Sequence, residues 1–244
     1  AGHVPSAQLV TRGDYSGGDI PGVSRDRATL QAMLRARGVD EGAVVVVMGD
    51  GGPEPYRLWW TLHQVGGVQV RVLDGGLASW KALGERLAEG PGRDVPPGDI
   101  RLGEGPGRNL MWADVQAVQA ATPGLQLVDT RGAPEFTGEK QHAKAPRAGH
   151  IPGARHLDWK AVLRLEGDAP VLRDPADARA VFAEAGIDPA APILTYCQSG
   201  TRSAAVYYSL LQLGADVGQV WNYDGSWAEY SRLADLPVAS GETG

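Results

Sequence analysis

The chain repeats itself. Gly2-His3-Val4-Pro5-Ser6-Ala7 is echoed by Gly149-His150-Ile151-Pro152-Gly153-Ala154, and the strand-like run Ala43-Val44-Val45-Val46-Val47 by Pro192-Ile193-Leu194-Thr195-Tyr196. The aromatic pair Trp59-Trp60 returns as Tyr207-Tyr208. Val72-Leu73-Asp74-Gly75-Gly76, with Trp80 behind it, returns as Asn222-Tyr223-Asp224-Gly225-Ser226 with Tyr230. The echoes keep their order and nearly their separation. That pattern is the duplication of a whole domain rather than a short solenoid repeat. It constrains the fold strongly, because any architecture must be built twice from half a chain.

Each copy alternates strand-like and helix-like stretches, which argues for an α/β sheet with helices on its faces. In the first copy, residues 27–38 are expected to form an early helix, 43–47 a strand, and 58–64 a helix after the following loop. Between the copies, residues 84–108 are rich in Gly and Pro and suit an extended linker. The division expected is therefore a domain over 1–84, a linker over 85–108 and a second domain over 109–244. In the second, 112–121 reads as a helix ended by Thr122-Pro123-Gly124, and 125–128 as a strand running into Asp129-Thr130-Arg131. Residues 132–147 are polar, with several lysines and prolines, and read as a surface loop. The first copy has no counterpart of the helix and strand that precede Gly149. Its sheet is expected to lack a strand, by truncation of the chain, and an edge so exposed needs a cover.

Composition narrows the function. A formal charge of −6 over 244 residues argues against nucleic acid as a partner. No apolar run of about 18 residues is present, so no membrane span is expected. The start of the chain does not read as a signal peptide. A single cysteine allows no internal disulfide and points to a reducing compartment, the cytoplasm. The five histidines are scattered and offer no zinc ligand set.

That one cysteine, Cys197, follows the apolar run Ile193–Tyr196. It precedes a stretch from Ser203 to Leu213 with helical apolar spacing, which Gly214 stops. A thiol between a strand end and a helix start meets the free N–H groups of the loop and the helix. Those groups favour the thiolate, the nucleophilic form. A lone cysteine is most often a small buried hydrophobe. Here, however, Gln198, Ser199, Gly200, Thr201, Arg202 and Ser203 make a polar loop unsuited to core packing, with Arg202 as a fixed cation. These six are the candidate donor-binding residues and Cys197 the candidate nucleophile. Tyrosine-phosphatase-type chemistry needs C-x5-R. The pattern here is C-x4-R, a tighter ring that suits one added sulfur atom better than a phosphate.

The loop resembles the active-site loop of the rhodanese family of sulfurtransferases. Gly149–Ala154 resembles that family's G-H-I-P-G-A signature, and Tyr223-Asp224-Gly225-Ser226-Trp227 its Y-D-G-S-W signature, in the family's order. The resemblance implies two rhodanese-like α/β domains, each a mainly parallel sheet flanked by helices. It implies sulfur transfer from thiosulfate through a Cys197 persulfide to cyanide or another thiophilic acceptor, with no metal or organic cofactor. The partners implied are a small anionic sulfur donor and a thiophilic acceptor, either a small thiophile or a sulfur-accepting protein. Arg147 matches the arginine of the family's E-P-R stretch and becomes a further donor-binding candidate, though its spacer before Gly149 is short. Asp129 and Arg131 match a D-x-R that braces neighbouring loops. His3 and His150 recur in both copies and read as turn-stabilising, and Trp227 as packing beneath the loop.

The first copy lacks the nucleophile. Its loop, Met48-Gly49-Asp50-Gly51-Gly52-Pro53-Glu54, is anionic, so that domain is expected to be inactive and to wall the cleft over Cys197. Three alternatives remain open from sequence. One is a 3-mercaptopyruvate sulfurtransferase, although the family's C-G-S-G-V-T loop is absent and Glu135 stands before Phe136 where an arginine is usual. Another is a phosphatase or arsenate reductase. The third is a non-enzymatic sulfur carrier or redox sensor.

Overall fold

The computed structural model describes residues 2–107 and 109–242. Position 108, the expected end of the linker, lies outside the described residues. The chain divides into two compact units: 1–17, 24–107 and 164–172 form the first, and 18–23, 108–163 and 173–244 the second.

The first unit carries α1 (Arg12–Tyr15), α2 (Arg27–Arg35), β1 (Val44–Val47), α3 (Glu54–Val65), β2 (Gln69–Val72) and α4 (Gly76–Ala82). The Asp26 side chain caps α2 by accepting from the Thr29 N–H at 3.0 Å. Leu30, Met33 and Leu34, at helical spacing, are buried with Leu62, Ile100 and Leu102. β1 and β2 pair in parallel, with Val44 opposite Gln69. On its other side β1 has no strand among the described residues, and Val44 and Val46 stay 48% and 56% exposed. A cavity of about 460 Å³ lies there, lined on one side by residues 43–48 and on the other by residues 6–10.

The described part of the expected linker, 85–107, is not a detached extended segment. Ile100 and Leu102 are buried in the first unit's core, the Ile100 carbonyl accepts from Arg35 Nε at 2.8 Å, and the Leu102 N–H donates to Gln31 at 2.9 Å. Two of its glycines, Gly98 and Gly105, serve close approach of the backbone. A Cβ on Gly98 would lie 2.1 Å from the Val39 carbonyl oxygen. Gly and Pro exclude helix and ladder here, yet the sparse apolar residues still reach the core.

The second unit holds β3 (Asn109–Leu110), α5 (Trp112–Ala121), β4 (Gln126–Asp129), α6 (Ala133–Thr137), β5 (Arg155–His156), a 3-10 turn (Trp159–Val162), and α7 (Pro175–Glu184). The hairpin strands β6 (Leu163–Glu166) and β7 (Ala169–Leu172) precede α7 in the chain. After it come β8 (Ile193–Tyr196), α8 (Thr201–Gln212), β9 (Val220–Tyr223) and α9 (Ser226–Tyr230). Five strands form one parallel sheet in the order β3-β9-β8-β4-β5. β8 lies at its centre and all four of its residues are buried, as its unbroken apolar run predicts. Residues 132–147 are more ordered than a surface loop. α6 buries Phe136 against the His150 ring, with centroids 3.8 Å apart.

The duplication is visible in backbone detail. His3 and Ala88 exchange two N–H···O bonds, as do His150 and Ala239. Ser6 takes φ +67° where the second copy has Gly153 at +79°, and Ser226 takes +49° where the first has Gly76 at +53°. Each unit has kept a left-handed turn residue, once as glycine and once as serine.

Candidate active site

Cys197 stands at the carboxyl end of the central strand, the position at which open parallel sheets present ligand sites. The chain turns there through Gly200, whose φ of +69° starts α8. The loop is pinned from below by α9. The Trp227 and Ala228 N–H groups donate to the Cys197 and Gln198 carbonyls at 3.0 and 2.9 Å. The Ser226 hydroxyl accepts from the N–H groups of Cys197, at 3.2 Å, and Gly200, at 3.0 Å. It donates to the Tyr223 carbonyl at 2.6 Å. With its carbonyls and two of its N–H groups held from beneath, the loop leaves other N–H groups for the sulfur.

The electrostatics follow from that geometry. Burial pushes the Cys197 thiol up. The Arg202 charge, the Ser203 hydroxyl and the backbone N–H groups of Ser203 and Ser199 outweigh burial, and its pKa falls below the ordinary thiol value. The Ser203 hydroxyl lies 3.6 Å from the sulfur and 2.6 Å from Asn222 Oδ1. Arg202 forms a two-pronged ion pair with Glu135, at 2.5 and 3.0 Å. Burial raises the Glu135 carboxyl, but Arg202 more than offsets this and its pKa is lowered.

The sequence-expected residues separate into two groups. Cys197, Gln198, Ser199 and Gly200 form the turn after β8, and Thr201, Arg202 and Ser203 the first turn of α8, two residues earlier than the expected helix start at Ser203. Gln198 is 7% exposed, and its amide oxygen is buried with no hydrogen-bond partner among the described residues. Arg147 is placed otherwise. Its guanidinium donates to the carbonyls of Ser231, Leu236, Tyr230 and Leu233 at 2.6–3.0 Å. With four of its five N–H donors spent there, Arg147 ties down the segment after α9 instead of facing a donor.

Arg131 and Asp129 do brace loops. The buried pair closes at 2.6 Å, Arg131 reaches the Gly149 carbonyl at 2.7 Å, and its guanidinium lies 4.6 Å over the Trp227 ring. Trp227 is 1% exposed beneath the loop. His150 holds the Phe136 carbonyl at 2.8 Å and is fully buried, as a turn brace requires.

Three site residues were not singled out from sequence as such: Ser226, Asn222 and Glu135 as the partner of Arg202. The first two lie within the Asn222–Trp227 stretch that the repeat exposes. Their signal was the replacement of Gly76 by a serine at a left-handed position, where serine carries a backbone cost that needs a return.

The structure thus places one buried cysteine, its pKa lowered, at the carboxyl end of the central strand of a parallel α/β sheet. The comparisons concern the family and the fold. The rhodanese-like domain matches residues 1–83 and 113–233. A putative thiosulfate sulfurtransferase, SseB, of Mycobacterium tuberculosis is 32% identical over 98% of this chain and 84% of its own length. The 3-mercaptopyruvate sulfurtransferase of Escherichia coli is 31% identical over 97% of this chain and 83% of its own. The thiosulfate sulfurtransferase of Pseudomonas aeruginosa is 31% identical, covering 97% and 85%.

Among solved structures, EanB and YnjE superimpose with TM-scores of 0.83 at 23% identity. This chain spans about 60% of the length of those two chains, and at that identity the likeness concerns the fold. The chain belongs to the rhodanese family. Its activity is sulfur transfer, and its relatives of similar identity are named for two different donors.

Proposed function

We propose that this sulfurtransferase takes its sulfur from thiosulfate and passes it to cyanide or another thiophile by double displacement at Cys197. The thiolate attacks the outer sulfur of thiosulfate. The S–S bond breaks, sulfite leaves with the bonding pair, and a Cys197 persulfide remains. The acceptor then bonds to the outer sulfur and the thiolate departs. The loop N–H groups serve the anion at each stage without reorganising.

The observation that carries the donor choice is the disposition of the arginines. Arg131 and Arg147 spend their donors inside the protein, whereas two of the five N–H groups of Arg202 engage Glu135. The Arg202 charge acts on the Cys197 sulfur and favours an anion there. Thiosulfate carries its oxygens on the atom next to the transferred sulfur, within reach of one cation at the loop. 3-Mercaptopyruvate carries its carboxylate carbon three bonds from the transferred sulfur, towards a second cation, and the Glu135 carboxylate opposes it.

A donor panel tests the reading. Wild type should turn over thiosulfate with a higher kcat/KM than 3-mercaptopyruvate, and Cys197→Ser should turn over neither. Preference for 3-mercaptopyruvate would reassign the donor. Aryl phosphate hydrolysis without sulfur transfer would reject the sulfur chemistry itself.

A further inference from the structure

Beside the nucleophile lies a short buried polar chain. Ser203 and Asn222 are both fully buried. Asn222 Nδ2 donates to the Gly200 carbonyl at 3.1 Å, which fixes the orientation of the amide and turns Oδ1 towards Ser203. Oδ1 lies 2.6 Å from Ser203 Oγ, while the sulfur lies 3.6 Å from the same oxygen. A serine hydroxyl has one hydrogen and two lone pairs. The short contact takes the hydrogen, so the Ser203 oxygen shows Cys197 a lone pair. That arrangement suits a thiol, which donates its S–H to Ser203. A thiolate has no hydrogen to give and needs the hydroxyl to turn.

We propose that Asn222 is a positioning residue for the nucleophile, holding the Ser203 hydrogen while Cys197 is a thiol and yielding it to the sulfur when Cys197 is a thiolate. On ionisation the thiol proton passes to water. The Ser203 hydrogen rotates from Asn222 Oδ1 to sulfur, and no covalent bond of Ser203 or Asn222 breaks. Asn222 Oδ1 then keeps only the weaker approach of Thr195 Oγ1, at 3.4 Å, while Nδ2 still holds the Gly200 carbonyl. Asn222 therefore competes with the thiolate for one hydrogen and restrains its formation. The proposal rests on Cys197 being the sulfur-carrying nucleophile but not on the identity of the donor.

The other charged groups around the sulfur are Arg202 on α8, Glu135 on α6 paired with it, and the Asp129–Arg131 pair at the end of β4. All are left untouched in the test, a double-mutant cycle read by iodoacetamide alkylation of Cys197 against pH. This readout needs no donor, so its outcome is separate from that of the donor panel. Ser203→Ala should raise the apparent thiol pKa. Asn222→Ala should lower it, with a thiolate fraction on the acid limb about tenfold above wild type, the gap between a charge-assisted and a competed hydrogen bond.

In the Ser203→Ala background, Asn222→Ala should have no further effect. Ser203→Thr, which keeps the hydroxyl, should restore the wild-type profile. Because Asn222 also holds Gly200, Asn222→Leu, near-isosteric and without an acceptor for the Ser203 hydrogen, takes its place in the cycle if Asn222→Ala fails to fold, with the same lowering of the pKa expected. The proposal is overturned if Ser203→Ala leaves the profile unmoved, if Asn222→Ala raises the pKa, or if its effect persists without the Ser203 hydroxyl.

Discussion

Ser226 should decide whether the loop is held in shape from beneath. It adopts φ +49°, a conformation that costs a non-glycine residue about 1–2 kcal/mol. Its hydroxyl satisfies the Cys197 N–H, the Gly200 N–H and the Tyr223 carbonyl, all in a buried setting. Ser226→Gly removes the hydroxyl and relieves the backbone. A buried group left without a partner costs about 1–3 kcal/mol. Water and loop relaxation will recover part of the sum over three groups, so the hydroxyl's loss amounts to about 2–4 kcal/mol. Subtracting the backbone relief leaves a net destabilisation of about 0–3 kcal/mol.

Ser226→Ala loses the same bonds and keeps the backbone cost, so it should be worse than Ser226→Gly by about 1–2 kcal/mol. The chain has two compact units, so calorimetric unfolding should be resolved into separate transitions, with the loss confined to the one carrying Cys197. The alkylation profile of Cys197 should also move to higher pH, because the loop no longer holds its N–H groups at the sulfur. A Ser226→Gly protein as stable as wild type, with an unmoved profile, would refute the reasoning.

Arg202→Ala should lower kcat/KM for thiosulfate by about tenfold to a hundredfold, the worth of a charge-assisted hydrogen bond of about 1.5–3 kcal/mol. Lysine should fall between, and discharge of the persulfide to cyanide should suffer much less. Equal loss in both half-reactions, measured before the steady state, would leave Arg202 as scaffold. Glu135→Gln removes a negative charge that opposes the thiolate, so Cys197 alkylation should extend to lower pH. The Glu135 pKa is depressed in the folded state, so its ion pair stabilises above its unfolded pKa of about 4.3 and is lost as pH falls through the folded value. Thermal unfolding against pH should therefore show an acid-side loss in wild type that Glu135→Gln lacks.

The architecture was legible because duplication and apolar runs speak at the level of whole elements. β8 and α5 lie where their patterns put them, whereas the polar stretch after Cys197 is a loop only to Gly200, its second half being the first turn of α8. The stretch 85–108 misled because composition reports where helix and strand are unfavourable. It does not report whether two isolated apolar residues, Ile100 and Leu102, find a core. Arg147 misled for a related reason. A motif places an arginine in the chain, but only the fold shows that four carbonyls, one at the last residue of α9 and three beyond it, already claim it. The Arg202–Glu135 pair spans 67 positions, and such a partnership is set by strand order, which no local pattern carries.

The central claim is that Cys197 carries the sulfur as a persulfide. The direct measurement is the intact mass of the protein after thiosulfate treatment, with sulfite assayed in the same sample. The account predicts a gain of one sulfur atom per chain, one sulfite released for each, localisation to the peptide containing Cys197, and return to the starting mass on adding cyanide with formation of thiocyanate. An unchanged mass, or an adduct that cyanide does not remove, would contradict it.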